Sequence, residues 1–453
     1  MPRVRYGLTL VVLLLGFHGA CRGVEASEFN VRELGAKGDG VSLDSKAFQE
    51  AFDQARAAGG GTVVVPPGTY LCGSMQLYSN TTLRLEKGAV IRQSRRPEDH
   101  PHGRHLLIAR GENNIVLTGE GTFVGIGEGP LGRLADRSDA TMPAFRAGMV
   151  LFENCRNVHV SRLQFHLSDT WTLTFRFCED VMVEGVTIRN EYYHTNSDGI
   201  DPVSSRRVRI RDCDIIAGDD CVVLKTAEGR PCEDVQVSRC HLETIATALK
   251  IGTESSGDFR NIEFRDITIR NSTVGIGIYV KDGGTVENVR FRNIEIENYR
   301  PEGKSNVESA IFPIFMDIER RHADSPLGSI QQILLEDIRI RSGFGVVIQG
   351  SPESPIRDLA IRNLSFEVAD SWDWTNRRKH IGGRRTLPNQ RDTEFVRLPG
   401  WVVIAHAENV SVEGLKITAT EVEWKRFARE PLLLPHVKGA TVEKVDVQIG
   451  GDL

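Results

Sequence analysis

Two acidic clusters stand close together in the middle of the chain, Asn196-Ser-Asp198-Gly-Ile-Asp201 and Gly218-Asp219-Asp220-Cys221. The second heads an apolar run, Val-Val-Leu-Lys225, of the kind that forms a strand. Strands disfavour Asp, and carboxylates forced together repel one another and resist losing water. A chain that keeps such acids on a rigid scaffold points to their use. The chemistry that clustered carboxylates suit is glycoside hydrolysis: one carboxyl protonates the leaving oxygen while another activates water or attacks the sugar. Crowding holds one acid protonated near neutral pH beside an ionised neighbour. The bland alternative is that Asp219 caps a turn and Asp220 pairs with a lysine.

The elements that must position these acids follow from a repeat. A unit of Asn or Asp followed by alternating aliphatic residues begins at Asp180, Arg207, Asp234, Asn261 and Asn288, each 27 residues after the last. Earlier and later copies start at Asn157, Gln332, Asp358 and Asn409, with a weaker one near Thr441. Alternation means strands with one buried face. Strands at a fixed period with no helix between them predict an all-β solenoid, a parallel β-helix, right-handed by the crossover rule. The Asn and Asp at the unit starts are expected in turns. The amphipathic stretch 44–58, with Asp44 as N-cap, is expected to be a helix closing the N-terminal end.

If the period holds throughout, Asp198, Lys225, Gly252 and Tyr279 fall in one column. Lys250 and Lys281 then lie on the same face. Adjacent strand residues point to opposite faces, so Asp219 and Asp220 share a cleft only if Gly218 marks a bend or bulge. Cys155, Cys178 and Cys232 align in one column and Cys213 and Cys240 in another, as small buried ladder residues.

The 453 residues carry a formal net charge of −5, with no basic field that would point to nucleic acid. Two arginines, a short apolar run and small residues predict a signal peptide over 1–26 and one β-helix catalytic domain over 27–453. The signal predicts a secreted or periplasmic protein; Cys21 offers a lipoprotein anchor as the alternative. No other segment is apolar enough to span a membrane. No cofactor and no metal are expected, although the acids could in principle bind calcium. A monomer is expected.

With these residues in view, the chain resembles glycoside hydrolase family 28, the polygalacturonase-like enzymes. Asn196-Ser-Asp198 is similar to the family's Asn-Thr-Asp signature, and Gly218-Asp219-Asp220-Cys221 matches in order and separation. The opening Asn30-Val-Arg-Glu-Leu-Gly-Ala-Lys-Gly-Asp-Gly is shared by many β-helix proteins, some lyases among them. The resemblance implies hydrolysis with inversion, with Asp219 as general acid and Asp198 and Asp220 positioning and deprotonating water. Asn196, Lys225, Lys250, Tyr279 and Lys281 are the expected substrate-binding set, for an acidic, pectin-like or other uronate-containing glycan. Two family motifs are altered: Thr247 stands where a histidine is expected, and Tyr279-Val280-Lys281 lacks the arginine. Lys225 or Lys250 would then supply the cation. Segment 370–400, with Trp372, Trp374 and several arginines, and the Gly-rich insertion 125–148 are candidate cleft walls. A polysaccharide lyase and a non-catalytic glycan-binding solenoid are the alternatives.

Overall fold

In the computed structural model the described residues are 27–131, 143–298, 311–369, 398–427 and 430–450. The signal segment with Cys21, part of the 125–148 insertion and the aromatic, Arg-rich stretch 370–397 lie outside them.

Apolar alternation has produced the expected solenoid. Successive coils stack through parallel pairing into two sheets of 22 and 12 strands among the described residues, and the coil is a right-handed parallel β-helix. Inward residues form one continuous core along the coil. Like stacks on like: the Phe123–Phe165, Phe152–Phe175 and Phe264–Phe291 ring pairs lie 5.0, 5.2 and 5.0 Å apart and nearly parallel. That is close to the ~4.8 Å strand spacing.

The unit-start residues turn the chain, as expected. Asp180, Arg207, Asp234, Asn261 and Asn288 all have φ between 52° and 58°, a left-handed conformation that Asn and Asp tolerate well. Their side chains also form a ladder, Asn288 Nδ2 to Asn261 Oδ1 at 2.8 Å and Asn261 Nδ2 to Asp234 Oδ1 at 3.0 Å.

The capping helix spans Ser45–Ala57 and buries Ala47, Phe48, Ala51, Phe52 and Ala55 over the first coils. Asp44 precedes it, but its carboxylate makes no cap bond to the helix. It accepts instead from the amides of Lys37 and Gly38, at 2.6 and 3.0 Å, tying down the loop before the helix. At the other end the last strand, Val437–Ile449, pairs with Ala407–Ala419. It leaves Val442 and Ile449 more than two-fifths exposed.

The seven described cysteines are buried free thiols. Cys155 contacts Cys178, and Cys213 contacts Cys240. Ser205 separates Cys178 from Cys232: its hydroxyl accepts from the Cys178 amide at 2.9 Å.

Within the run of 27-residue coils the period is broken at the acidic clusters. Leu173 pairs with Ile200 and Val222 with Leu249, both 27 apart, but Ile200 pairs with Val222, only 22 apart. The other sheet keeps 27 on both sides, Thr187 with Asp214 and Arg206 with Glu233. The turn running through 191–196 is therefore five residues longer than its successor at Gly218–Cys221. The loop after Lys225 restores the register by being five longer.

Candidate active site

Asp219 and Asp220 lie in a bend between the strands Asp214–Ala217 and Val222–Thr226, not on a strand. Gly218 makes the bend, as anticipated. A Cβ there would meet the carbonyl oxygens of Glu191 and His194 at 2.3 and 2.4 Å, and its N–H donates to Ser197 Oγ at 3.1 Å. Glycine thus lets this turn pack directly under the preceding one. The bend frees both acids from strand alternation.

The five-residue offset corrects the expected column. Lys225 pairs with Val203, not with Asp198. Asp198 instead lies alongside Asp220, whose carbonyl accepts the Gly199 N–H at 2.9 Å. The part of the column beyond the offset holds, with Gly252 opposite Tyr279. Although its backbone sits elsewhere, Lys225 reaches back: its ammonium donates to Asp198 Oδ2 at 2.9 Å and to Asp201 Oδ1.

Around Asp220 both carboxylate oxygens are engaged, Oδ2 by Lys250 Nζ at 2.7 Å and Oδ1 by the Thr247 N–H at 3.2 Å. Thr247, in place of the expected histidine, therefore serves the site through its backbone. Asp219 is half-buried and accepts the Asn196 N–H on Oδ2 at 3.0 Å. So both parts of the bland alternative, a turn contact and a lysine pair, are present in the same cluster.

The electrostatics follow from crowding. Burial raises Asp219 to about 7, helped by the charges of Asp198 and Asp220 and opposed by Lys250 and the Asn196 amide. Burial raises Asp198 to about 8; Lys225 pulls it down and Asp201 and Asp220 push it up. Asp201 rises to about 6, from burial opposed by Lys225. Such closely spaced carboxyls titrate as a group. Lys225 and Lys250 are held charged: burial disfavours the ammonium, and the surrounding aspartates more than offset it.

The remaining expected substrate-binding residues are spread around this cluster. Lys250 keeps 16% side-chain exposure, against 4% for Lys225. Its ammonium lies 5.5 Å from the Tyr279 ring centroid. Tyr279 is buried, which pushes its phenol up to about 12. Lys281 is buried against Glu319, and burial lowers its pKa. Asn196 is exposed on the rim.

Several contributors were missed in the sequence. Arg146 donates to Asn196 Oδ1 at 3.2 Å and to the Thr195 carbonyl at 2.8 Å, bracing the long turn. Asp169 holds that arginine at 3.2 Å and also bonds His194 Nε2 at 2.9 Å. Burial raises the Asp169 pKa, but His194, Arg146 and the Ala147 amide outweigh it and the net shift is downward. His194 is thus a packing residue. Asp169 lies 29 residues before Asp198 with no motif around it, and Arg146, 52 residues before, lies in the 125–148 insertion, which was expected only as a cleft wall. Asp201 had a signal, a charge inside the apolar Ile200–Val203 strand.

A β-helix presenting a carboxylate cluster on one face is the architecture of a carbohydrate-active enzyme. The family model for glycosyl hydrolases family 28 matches residues 59–311, and the chain belongs to that family of glycoside hydrolases. A second model, "Rhamnogalacturonase A/epimerase, pectate lyase-like", matches residues 28–85. The chain is 27% identical over 418 residues to a probable polygalacturonase of Vitis vinifera, covering 80% of this chain and 82% of that one. Among solved structures it resembles the family 28 exopolygalacturonase of Yersinia enterocolitica, with a TM-score of 0.70 at 18% identity over 94% of this chain and 79% of the other. The exopolygalacturonase of Thermotoga maritima gives 0.63 at 23% identity over 76% and 87%.

Proposed function

We propose that this glycoside hydrolase cleaves a pectin-like, uronate-containing polysaccharide with inversion, using Asp219 as general acid and Asp198, assisted by Asp220, as base. The observation that carries the assignment is the contrast among neighbouring acids. Asp220 and Asp198 are buried and each accepts a hydrogen bond from a lysine; Lys225 draws the Asp198 pKa down against the burial that raises it to about 8. Asp219 has no lysine bond among the described residues, is partly open to the cleft, and is pushed up to about 7. It holds a proton near neutral pH and can deliver it to a glycosidic oxygen.

Lys250 is the lysine of the cluster that reaches the open side, beside Tyr279. It is placed to meet the carboxylate of a uronate ring, with Asn196 on the rim. The signal-peptide pattern of residues 1–26 supports an exported enzyme acting on extracellular glycan.

The test is incubation with pectic oligosaccharides. Reducing ends and ultraviolet absorbance of unsaturated uronides are followed in parallel, with anomeric configuration read by NMR. New reducing ends of inverted configuration and no unsaturated product are expected. Unsaturated product would replace hydrolysis by elimination, and binding without cleavage would remove the enzymatic assignment.

A further inference from the structure

Lys225 occupies a place where a substrate-gripping cation is expected, yet it is enclosed. Its side chain is 4% exposed, and so is that of Asp198, while Asp201 is fully buried. The ammonium bridges the two carboxylates and sits 3.7 Å from the centroid of the Trp171 ring, a cation–π contact that covers its remaining side. A substrate carboxylate has no route to it in this arrangement.

Lys225 donates to both of these carboxylates. Asp198 Oδ1 and Asp201 Oδ2 are buried without a partner. Burying a lysine with two acids is costly unless the geometry is tight, and an apolar residue would fill the space more cheaply. Asp201 is within hydrogen-bonding reach of Asp198, so the pair would share a proton and silence Asp198 as a base if the ammonium were absent.

We infer that Lys225 is a positioning residue for the base: clamped between Asp198 and Asp201 beneath Trp171, it lowers the proton affinity of Asp198, holds its carboxyl group in place and does not bind the substrate. Asp201 is the counterweight, fixing the ammonium from the far side. This rests on Asp198 acting as base. The charged groups that act on it are Lys225, Asp201 and Asp220, and Asp219 is coupled to it.

The two partners of the clamp have opposite electrostatic signatures. Lys225→Met removes a positive charge, raises the affinity of Asp198 for its proton and moves the acidic limb of the kcat–pH profile upward, by about one unit or more. In this variant kcat falls about 100-fold, as expected for an impaired base, while KM changes little. Asp201→Asn removes a negative charge, keeps the Lys225–Asp198 bond and moves the same limb downward. Both profiles are measured on pectic oligosaccharides, with folding checked by circular dichroism. Should Lys225→Met fail to fold, the downward shift in Asp201→Asn decides. A raised KM with unchanged kcat and limb in Lys225→Met would overturn the proposal, and so would an unmoved limb in Asp201→Asn. Wild-type enzyme that releases no reducing ends would instead remove the functional reading beneath it.

Discussion

The backbone N–H of Asn196 donates to Asp219 Oδ2 at 3.0 Å, from one coil of the solenoid to the next. The acid is thus aimed by a turn, and that turn is braced by Arg146 through Asn196 Oδ1 and the Thr195 carbonyl. Arg146→Met should lower kcat by about tenfold, because small displacements of a catalytic group cost rate steeply. KM should move less. Steady-state kinetics on one defined oligosaccharide checks this; a change confined to KM would mean that Arg146 contacts substrate instead.

Asp219→Asn keeps an oxygen to accept the Asn196 N–H but cannot deliver a proton. Activity should fall by roughly 10²–10⁴-fold with the fold intact. In the wild type, activity should decline as pH rises through about 7, where Asp219 loses its proton. The same shift acts on stability. The folded pKa of Asp219 is raised above its ordinary 3.8, so its contribution is full below that value and is lost as pH rises through about 7. The Asn variant should therefore melt higher than wild type at pH 8, by the order of 1 kcal/mol after allowing for the exposed part of the side chain, with the gap closing near pH 4. Equal melting temperatures at both pH values would contradict the raised pKa.

Gly218→Ala tests the bend. Its methyl group would collide with two backbone oxygens at 2.3 and 2.4 Å, atoms that cannot move independently. A destabilisation of about 1–3 kcal/mol is expected, and the displaced turn should carry Asp219 off its amide, so kcat should drop as well. Chemical denaturation and kinetics report the two effects separately.

Lys250 serves two masters, Asp220 and the open side of the cleft. Its substitution by Met should depress kcat on every substrate. The charge-specific part appears in a ratio: wild type should favour an unesterified uronide over its methyl ester, and Lys250→Met should shrink that preference by about tenfold, the worth of one charge-assisted hydrogen bond. An unchanged ratio would place uronate recognition elsewhere.

The coil was legible in the sequence because a 27-residue spacing of turn residues and alternating aliphatics admits few other folds. The bend at Gly218 was legible too, since two acids on one face demand it. The partner of Lys225 was half legible: the sequence count placed it in the Asp198 column, the backbone places it against Val203, and its long side chain spans the difference. What failed was turn length. A unit start marks where a coil begins but not how its residues divide among strands and turns, so the offset between Ile200 and Val222 was invisible. The bracing contacts of Arg146, inside the insertion expected as a cleft wall, and of Asp169 were invisible for another reason, because their partners are long-range contacts that no local pattern announces.

That offset also bears on how such a chain can change. The lengthening at 191–196 is cancelled within one coil by the loop after Lys225, and the pairings on either side, Leu173 with Ile200 and Val222 with Leu249, are those of an undisturbed repeat. An insertion here behaves as a local edit, shielded by its own complement. A reaction centre can therefore be remodelled in a single layer of the stack while the layers above and below keep their geometry, which is a freedom that a globular core with shared packing does not have.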